Sequence, residues 1–155
     1  MIYEFCAENV TLLEKAMQAG ARRIELCDNL AVGGTTPSYG VTKAAVELAA
    51  NYDTTIMTMI RPRGGDFVYN DMEIAIMLED IRLTAQAGSQ GVVFGALTGE
   101  KKLDKPNLEK LIAASKGMEI VFHMAFDELS DEDQLEAIDW LSQAGVTRIL
   151  TRAGV

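Results

Sequence analysis

Basic residues are in short supply: 14 Lys and Arg stand against 23 Asp and Glu, a formal charge of −9 over 155 residues. That balance argues against nucleic acid or an anionic membrane surface as a partner for the molecule as a whole, while leaving room for a local basic patch that holds a small anion. No apolar stretch approaches the ~18 residues of a membrane span. The start, Met1 to Asn9, has neither the basic region nor the apolar run of a signal peptide. Cysteine is confined to Cys6 and Cys27, too few for a disulfide scaffold, and nothing points to secretion. A cytoplasmic protein is expected. No C-x-x-C, no His/Cys cluster and no G-x-G-x-x-G after the first strand-like segment is present. Histidine occurs once, at His123, and tryptophan once, at Trp140.

What is there is ordinary for a globular domain, 48% hydrophobic and 24% charged, and long enough for one core. Six strand-like segments stand out: Tyr3 to Ala7, Arg23 to Cys27, Thr55 to Arg61, Gly91 to Leu97, Glu119 to Phe126 and Arg148 to Thr151. Five helical patterns lie between them, over Val10 to Gln18, from about Val41, and over Asp71 to Ala87, Asn107 to Ser115 and Asp131 to Gln143. Asp71 and Ser130 read as N-caps. Gln-Ala-Gly recurs at Gln18–Gly20, Gln86–Gly88 and Gln143–Gly145, each time just before a strand, where glycine serves the left-handed helix cap. Strand and helix therefore alternate in units of about 30 residues, close to one-eighth of a ~250-residue (β/α)₈ barrel. The expected fold is α/β, a TIM-type barrel of which residues 1–155 hold six strands in one domain. Because a barrel needs eight strands, the domain is expected to be incomplete at its C-terminus.

In such folds chemistry sits in the loops at the carboxyl ends of strands. The second strand feeds a loop holding Asp28, Asn29, Gly33, Gly34, Pro37 and Gly40. Glu4-Phe5-Cys6 and Glu25-Leu26-Cys27 echo each other, and alternation puts each glutamate on the face of its cysteine. In adjacent parallel strands of similar register the two sulfurs would converge. Two thiols suit a soft ion such as Cu(I), with Met59 or His123 as further ligands; equally, free cysteine packs as a small buried hydrophobe. The third strand runs through Arg61-Pro62-Arg63-Gly64-Gly65-Asp66-Phe67. Two arginines beside a glycine turn resemble a carboxylate or phosphate site, or else pair with Glu4, Glu25 or Asp66. Alternation points Arg61 into the barrel mouth beside His123, and Glu4 or Glu25 is its expected partner. His123, four residues before Asp127, is a candidate acid/base or ligand, or a satisfied core residue.

Together, Gly20 to Cys27 with the Gly33–Ser38 loop, Met59 to Phe67, Gly91 to Thr98, and Phe122-His123 through Phe126-Asp127 resemble the CutC family of copper homeostasis proteins. The R-P-R-G-G-D-F run is the most specific of these. The resemblance implies a TIM-type barrel, a cytoplasmic setting and copper handling, with Cu(I) held by Cys6 and Cys27. Two departures from the family pattern stand out. Met124 occupies the basic position of F-H-R-A-F-D, and Thr151-Arg152-Ala153-Gly154 replaces T-S-G-G, moving a positive charge to the next strand end. Nothing corresponds to the family's last two strands with their P-G-G-G segment. The alternative to copper binding is a barrel enzyme acting on a small anionic substrate. In it Arg61 and Arg63, with Gly64 and Gly65, hold the anion while His123, Glu25 or Asp127 moves protons. A scaffold that acts as a homo-oligomer is a third reading.

Overall fold

The computed structural model describes residues 1–152. Its strands are β1 (Glu4–Glu8), β2 (Arg23–Cys27), β3 (Thr55–Met59), β4 (Gly91–Phe94), β5 (Glu119–Phe122) and β6 (Arg148–Ile149). All neighbouring pairs are parallel and their order is that of the sequence. Between them run α1 (Leu13–Gln18), α2 (Tyr39–Ala49), α3 (Asp71–Gln86), α4 (Lys105–Ala114) and α5 (Asp131–Ala144). Six parallel strands thus form a curled half-barrel with five helices. Repeated βα units impose this arrangement, since each crossover returns the chain to the same end of the sheet.

Alternation along the strands separates two kinds of apolar residue. Ile24, Leu26, Ile56, Val92, Phe94, Ile120 and Phe122 join the clusters that pack against the helices, and every one of them is at most 4% exposed. Burial of each such side chain contributes roughly 1.5–3 kcal/mol. The residues between them turn inward, where Cys27, Met57, Met59, Val93 and Val121 form a separate cluster with Leu150 against it. Gly91 belongs to this inner face, and a Cβ there would lie 2.1 Å from Met57 Cε. Met57 occupies the space that the missing side chain leaves.

Several boundaries differ from those expected. β3 ends at Met59, although Ile60 still donates to the Val93 carbonyl at 2.8 Å. β4 and β5 stop at Phe94 and Phe122, and the chain after β5 makes a 3₁₀ turn over Met124–Glu128. Strand propensity ran on through these segments, but the ladder ends where neither neighbour continues. The first helix begins only at Leu13, because Asn9 and Leu12 adopt positive φ. Asn70, not Asp71, caps α3: its side chain accepts from Glu73 N–H while Glu73 accepts from Asn70 N–H, a reciprocal capping box. Ser130 caps α5 as expected. Gly20, Gly88 and Gly145, the glycines of the Gln-Ala-Gly repeat, all take positive φ, so the triplet marks the same joint three times. Ala153 and Gly154 lie outside the described residues.

Candidate functional site

The first two strands pair with Cys6 opposite Glu25 and Glu8 opposite Cys27. The two Glu-x-Cys triplets are therefore offset by two residues, and Glu25 lies directly across from Cys6. The ligand atoms of Cys6, Glu25 and Cys27 all lie within 4.8 Å of one another. Cys27 is fully buried and donates its S–H to Glu25 Oε1 at 3.7 Å, while Cys6 is exposed. Close approach of the glycine loop seals Cys27 in, since a Cβ on Gly34 would stand 3.0 Å from its Sγ. The environment separates the two thiols. Hydrogen bonding from Cys27 holds Cys6 below the ordinary thiol range, whereas that same contact and burial push Cys27 well up. Burial first, then the charge of Glu4, push Glu25 up to about 7. The cluster thus offers an exposed thiol whose ionisation its neighbour favours, a buried second thiol that holds its proton, and a carboxyl pushed up to about 7. His123 stands outside this cluster, and Met59 lies at its edge, with its Cε 3.7 Å from where a Gly34 Cβ would be.

Arg61 does not pair with a glutamate, contrary to expectation. Glu4 is taken by Arg23 on the neighbouring strand. Arg61 instead donates through Nη1 to the carbonyls of Val32 at 2.6 Å and Gly34 at 2.9 Å, and through Nη2 to Gly65 at 3.0 Å. The local reason is the loop after β2. Thr36 locks it to the end of β3, accepting from Arg61 N–H and donating its own N–H to the Arg61 carbonyl. That places loop carbonyls, rather than carboxylates, around a guanidinium that is 5% exposed. Its Nε–H has no partner among the described residues. Arg63 turns away to Glu73 and Asp66, so it ties the loop to α3. Gly64 and Gly65 likewise serve the turn: a Cβ on Gly64 would meet Val32 at 3.0 Å, and Gly65 supplies a carbonyl to Arg61.

His123 follows β5 directly. Its Nδ1 accepts from Ala125 N–H at 3.1 Å, which leaves the ring proton on Nε2 in the neutral form. Nε2 has no partner among the described residues. Burial, then the charge of Arg61, lower the imidazole pKa to about 3. At neutral pH His123 is therefore an uncharged hydrogen-bond donor, which does not suit the acid/base role considered for it. Phe67 links it to Arg61, with its ring 4.9 Å from the imidazole and 5.2 Å from the guanidinium carbon. Arg61, His123, Phe67 and Met59 line a cavity of about 260 Å³, with Glu25, Asp127 and Arg152 also on its wall. Asp127 is occupied in holding the chain after β6, accepting from Thr151 Oγ1 and from Arg152 N–H at 2.9 Å.

Gly95 carries no functional group, so its residue type does not mark it as part of the site. A Cβ there would lie 2.6 Å from His123 Cε1 and 2.9 Å from Nδ1. The imidazole rests directly on the backbone that follows β4, and the signal was a glycine at a strand end.

The profile of the CutC family matches residues 1–155. The chain belongs to the CutC family. A CutC family protein of Enterococcus faecalis is 54% identical over 154 residues, covering 99% of this chain and 74% of the relative. Its counterpart in Streptococcus pyogenes is 53% identical, covering 97% of this chain and 72% of the relative. The crystal structure of a Streptococcus agalactiae protein, named there as a copper homeostasis protein CutC, superposes with a TM-score of 0.96 at 48% identity, over all of this chain and 74% of that one. A fructose 1,6-bisphosphate aldolase from an archaeon reaches a TM-score of 0.66 at 17% identity, a likeness of fold alone. The departure from the family pattern at Met124 also has a structural counterpart. Arg152 Nε lies 3.4 Å from Met124 Sδ, which brings a guanidinium from the chain after β6 beside position 124.

Proposed function

We propose that this chain handles copper by binding Cu(I) between Cys6 and Cys27, near the carboxyl ends of β1 and β2. The observation that carries this reading is the convergence of the two thiols and Glu25 within 4.8 Å. Membership of a family whose Streptococcus agalactiae protein is named for copper homeostasis supports it. The donor set fits the ion: thiolates are the ligands a soft monovalent cation selects, and two of them satisfy its low coordination number. Glu25, a harder donor, adjusts the charge of the site rather than setting its affinity. Cys6, exposed and with its pKa lowered, and Cys27, at the buried side of the cluster, would hold the ion, and binding would favour loss of the Cys27 proton. Both thiols must stay reduced for this, which matches a cytoplasmic setting.

Anaerobic titration with Cu(I) against a chromophoric competitor tests the proposal. Cys27→Ser should weaken binding more than Glu25→Gln does, and the double Cys→Ser variant should lose competitive binding altogether. Equal affinity in the wild type and the double variant would overturn it.

A further inference from the structure

The loop after β2 has a narrow neck. Asp28 and Thr35 exchange backbone hydrogen bonds of 2.9 and 2.8 Å across it, so residues 29–34 project as one unit. Inside the unit Gly33 N–H donates to the Leu30 carbonyl and Gly34 N–H to that of Asn29. One side faces solvent, with Asn29 to Gly33 all exposed. On the other side Gly34 is buried against Cys27, where a Cβ would stand 3.0 Å from Sγ and 3.2 Å from the cysteine Cβ. None of the apolar side chains Leu30, Ala31 and Val32 is buried, so the hydrophobic effect does little to hold the unit down. What holds it is polar. Arg61 Nη1 donates to the Val32 and Gly34 carbonyls at 2.6 and 2.9 Å, and Glu8 accepts from Leu30 N–H at 2.8 Å.

We propose that residues 29–34 are a lid over Cys27, latched by Arg61 and Glu8, which opens locally while the rest of the fold stays closed. A segment with few buried apolar contacts and a handful of hydrogen bonds belongs to the low-stability end of a structure. Arg61 suits the latch because its guanidinium is buried and its Nη2 is fixed by the Gly65 carbonyl, so the fork is anchored from outside the lid. A lysine ammonium, a single point charge, does not reproduce that fork. The lid makes the thiol pair one-sided. Cys6 is exposed and Cys27 fully buried, so with the lid closed, ligand exchange on a bound soft ion is confined to the Cys6 side. Arg61 is then a positioning residue for the metal site, acting through the loop that it holds. That consequence rests on the copper reading, whereas the lid itself does not.

Alkylation by iodoacetamide, an uncharged reagent, tests the lid in the metal-free protein. Tryptic cleavage after Lys15 and Arg23 puts Cys6 and Cys27 in different peptides, so mass spectrometry follows each thiol separately. The initial rate at Cys27 should be at least about a hundredfold below that at Cys6. It should also be nearly independent of urea below the unfolding transition, because a local opening exposes little surface. Arg61→Lys should raise the Cys27 rate about tenfold or more and leave that flat dependence in place. Glu8→Ala should raise it about threefold or more, while Glu8→Gln, which keeps an acceptor for Leu30 N–H, should stay near the wild type. This second pair decides the latch if Arg61→Lys does not fold. A Cys27 rate that climbs with urea as steeply as global unfolding overturns the lid. So does an unchanged rate in folded Arg61→Lys or in Glu8→Ala. Because no metal is present, failure here leaves the copper titration to be judged on its own result, and failure there leaves the lid standing.

Discussion

Replacing Gly95 by alanine adds one methyl group at a place where the structure leaves no room for it. The new Cβ would sit 2.6 Å from His123 Cε1, 2.9 Å from Nδ1 and 3.1 Å from Ala125 Cβ. Gly95 does not adopt a positive φ, so backbone strain plays no part and the effect is steric. The imidazole must move, and the direction open to it is the cavity it lines. Overpacking of this kind costs about 1–3 kcal/mol. Movement also breaks the bond from Ala125 N–H to Nδ1, leaving a buried amide unpaired at a further cost of about 1–3 kcal/mol. Because the ring can relax into open space, the lower half of the combined range applies, about 2–4 kcal/mol. Urea unfolding of Gly95→Ala measures the loss directly, and the same substitution in a His123→Ala background isolates its cause. With the ring gone, Gly95→Ala should cost less than about 1 kcal/mol. Equal losses in both backgrounds, or a loss below about 0.5 kcal/mol in the wild type, would refute the claim that Gly95 is there to seat His123.

Two buried groups should give the stability an unusual pH profile. His123, lowered to about 3 from an ordinary 6.5, is protonated first in the unfolded chain, so stability is lost as pH falls below about 6.5. Glu25, raised to about 7 from 4.5, keeps its proton longer when folded, so stability is lost as pH rises from about 4.5 through 7. Between those limits the slopes oppose. Glu25→Gln should then uncover the histidine slope, up to about 1.4 kcal/mol per pH unit, in urea unfolding between about pH 5 and 6.5; a flat profile in the variant would count against the neutral, buried imidazole. At the start of α3, Asn70→Ala should cost about 1 kcal/mol and Asn70→Asp much less, by the same measurement. Equal losses would show that the side-chain oxygen accepting from Glu73 N–H contributes nothing.

The sequence by itself determined the plan of the fold. Gln-Ala-Gly before three of the strands, and apolar alternation within them, point to βα units in chain order, and parallel neighbours follow because each crossover returns the chain to the same end of the sheet. It also placed Cys6 and Cys27 on the inner face, since alternation along a strand is local geometry. Only tertiary structure decided what those inner residues touch. The register of β1 on β2 set Glu25 across from Cys6, within reach of both thiols, and register depends on how two distant segments pack. The partners of Arg61 were settled by the loop after β2, which Thr36 ties to the end of β3 and which surrounds the guanidinium with carbonyls. A charge in a sequence announces that it needs partners, but not whether backbone or side chain will reach it first. Gly95 shows the same limit from the other side. Its role lies wholly in the imidazole resting against it, a contact between consecutive strand ends 28 residues apart in the chain that no local pattern records.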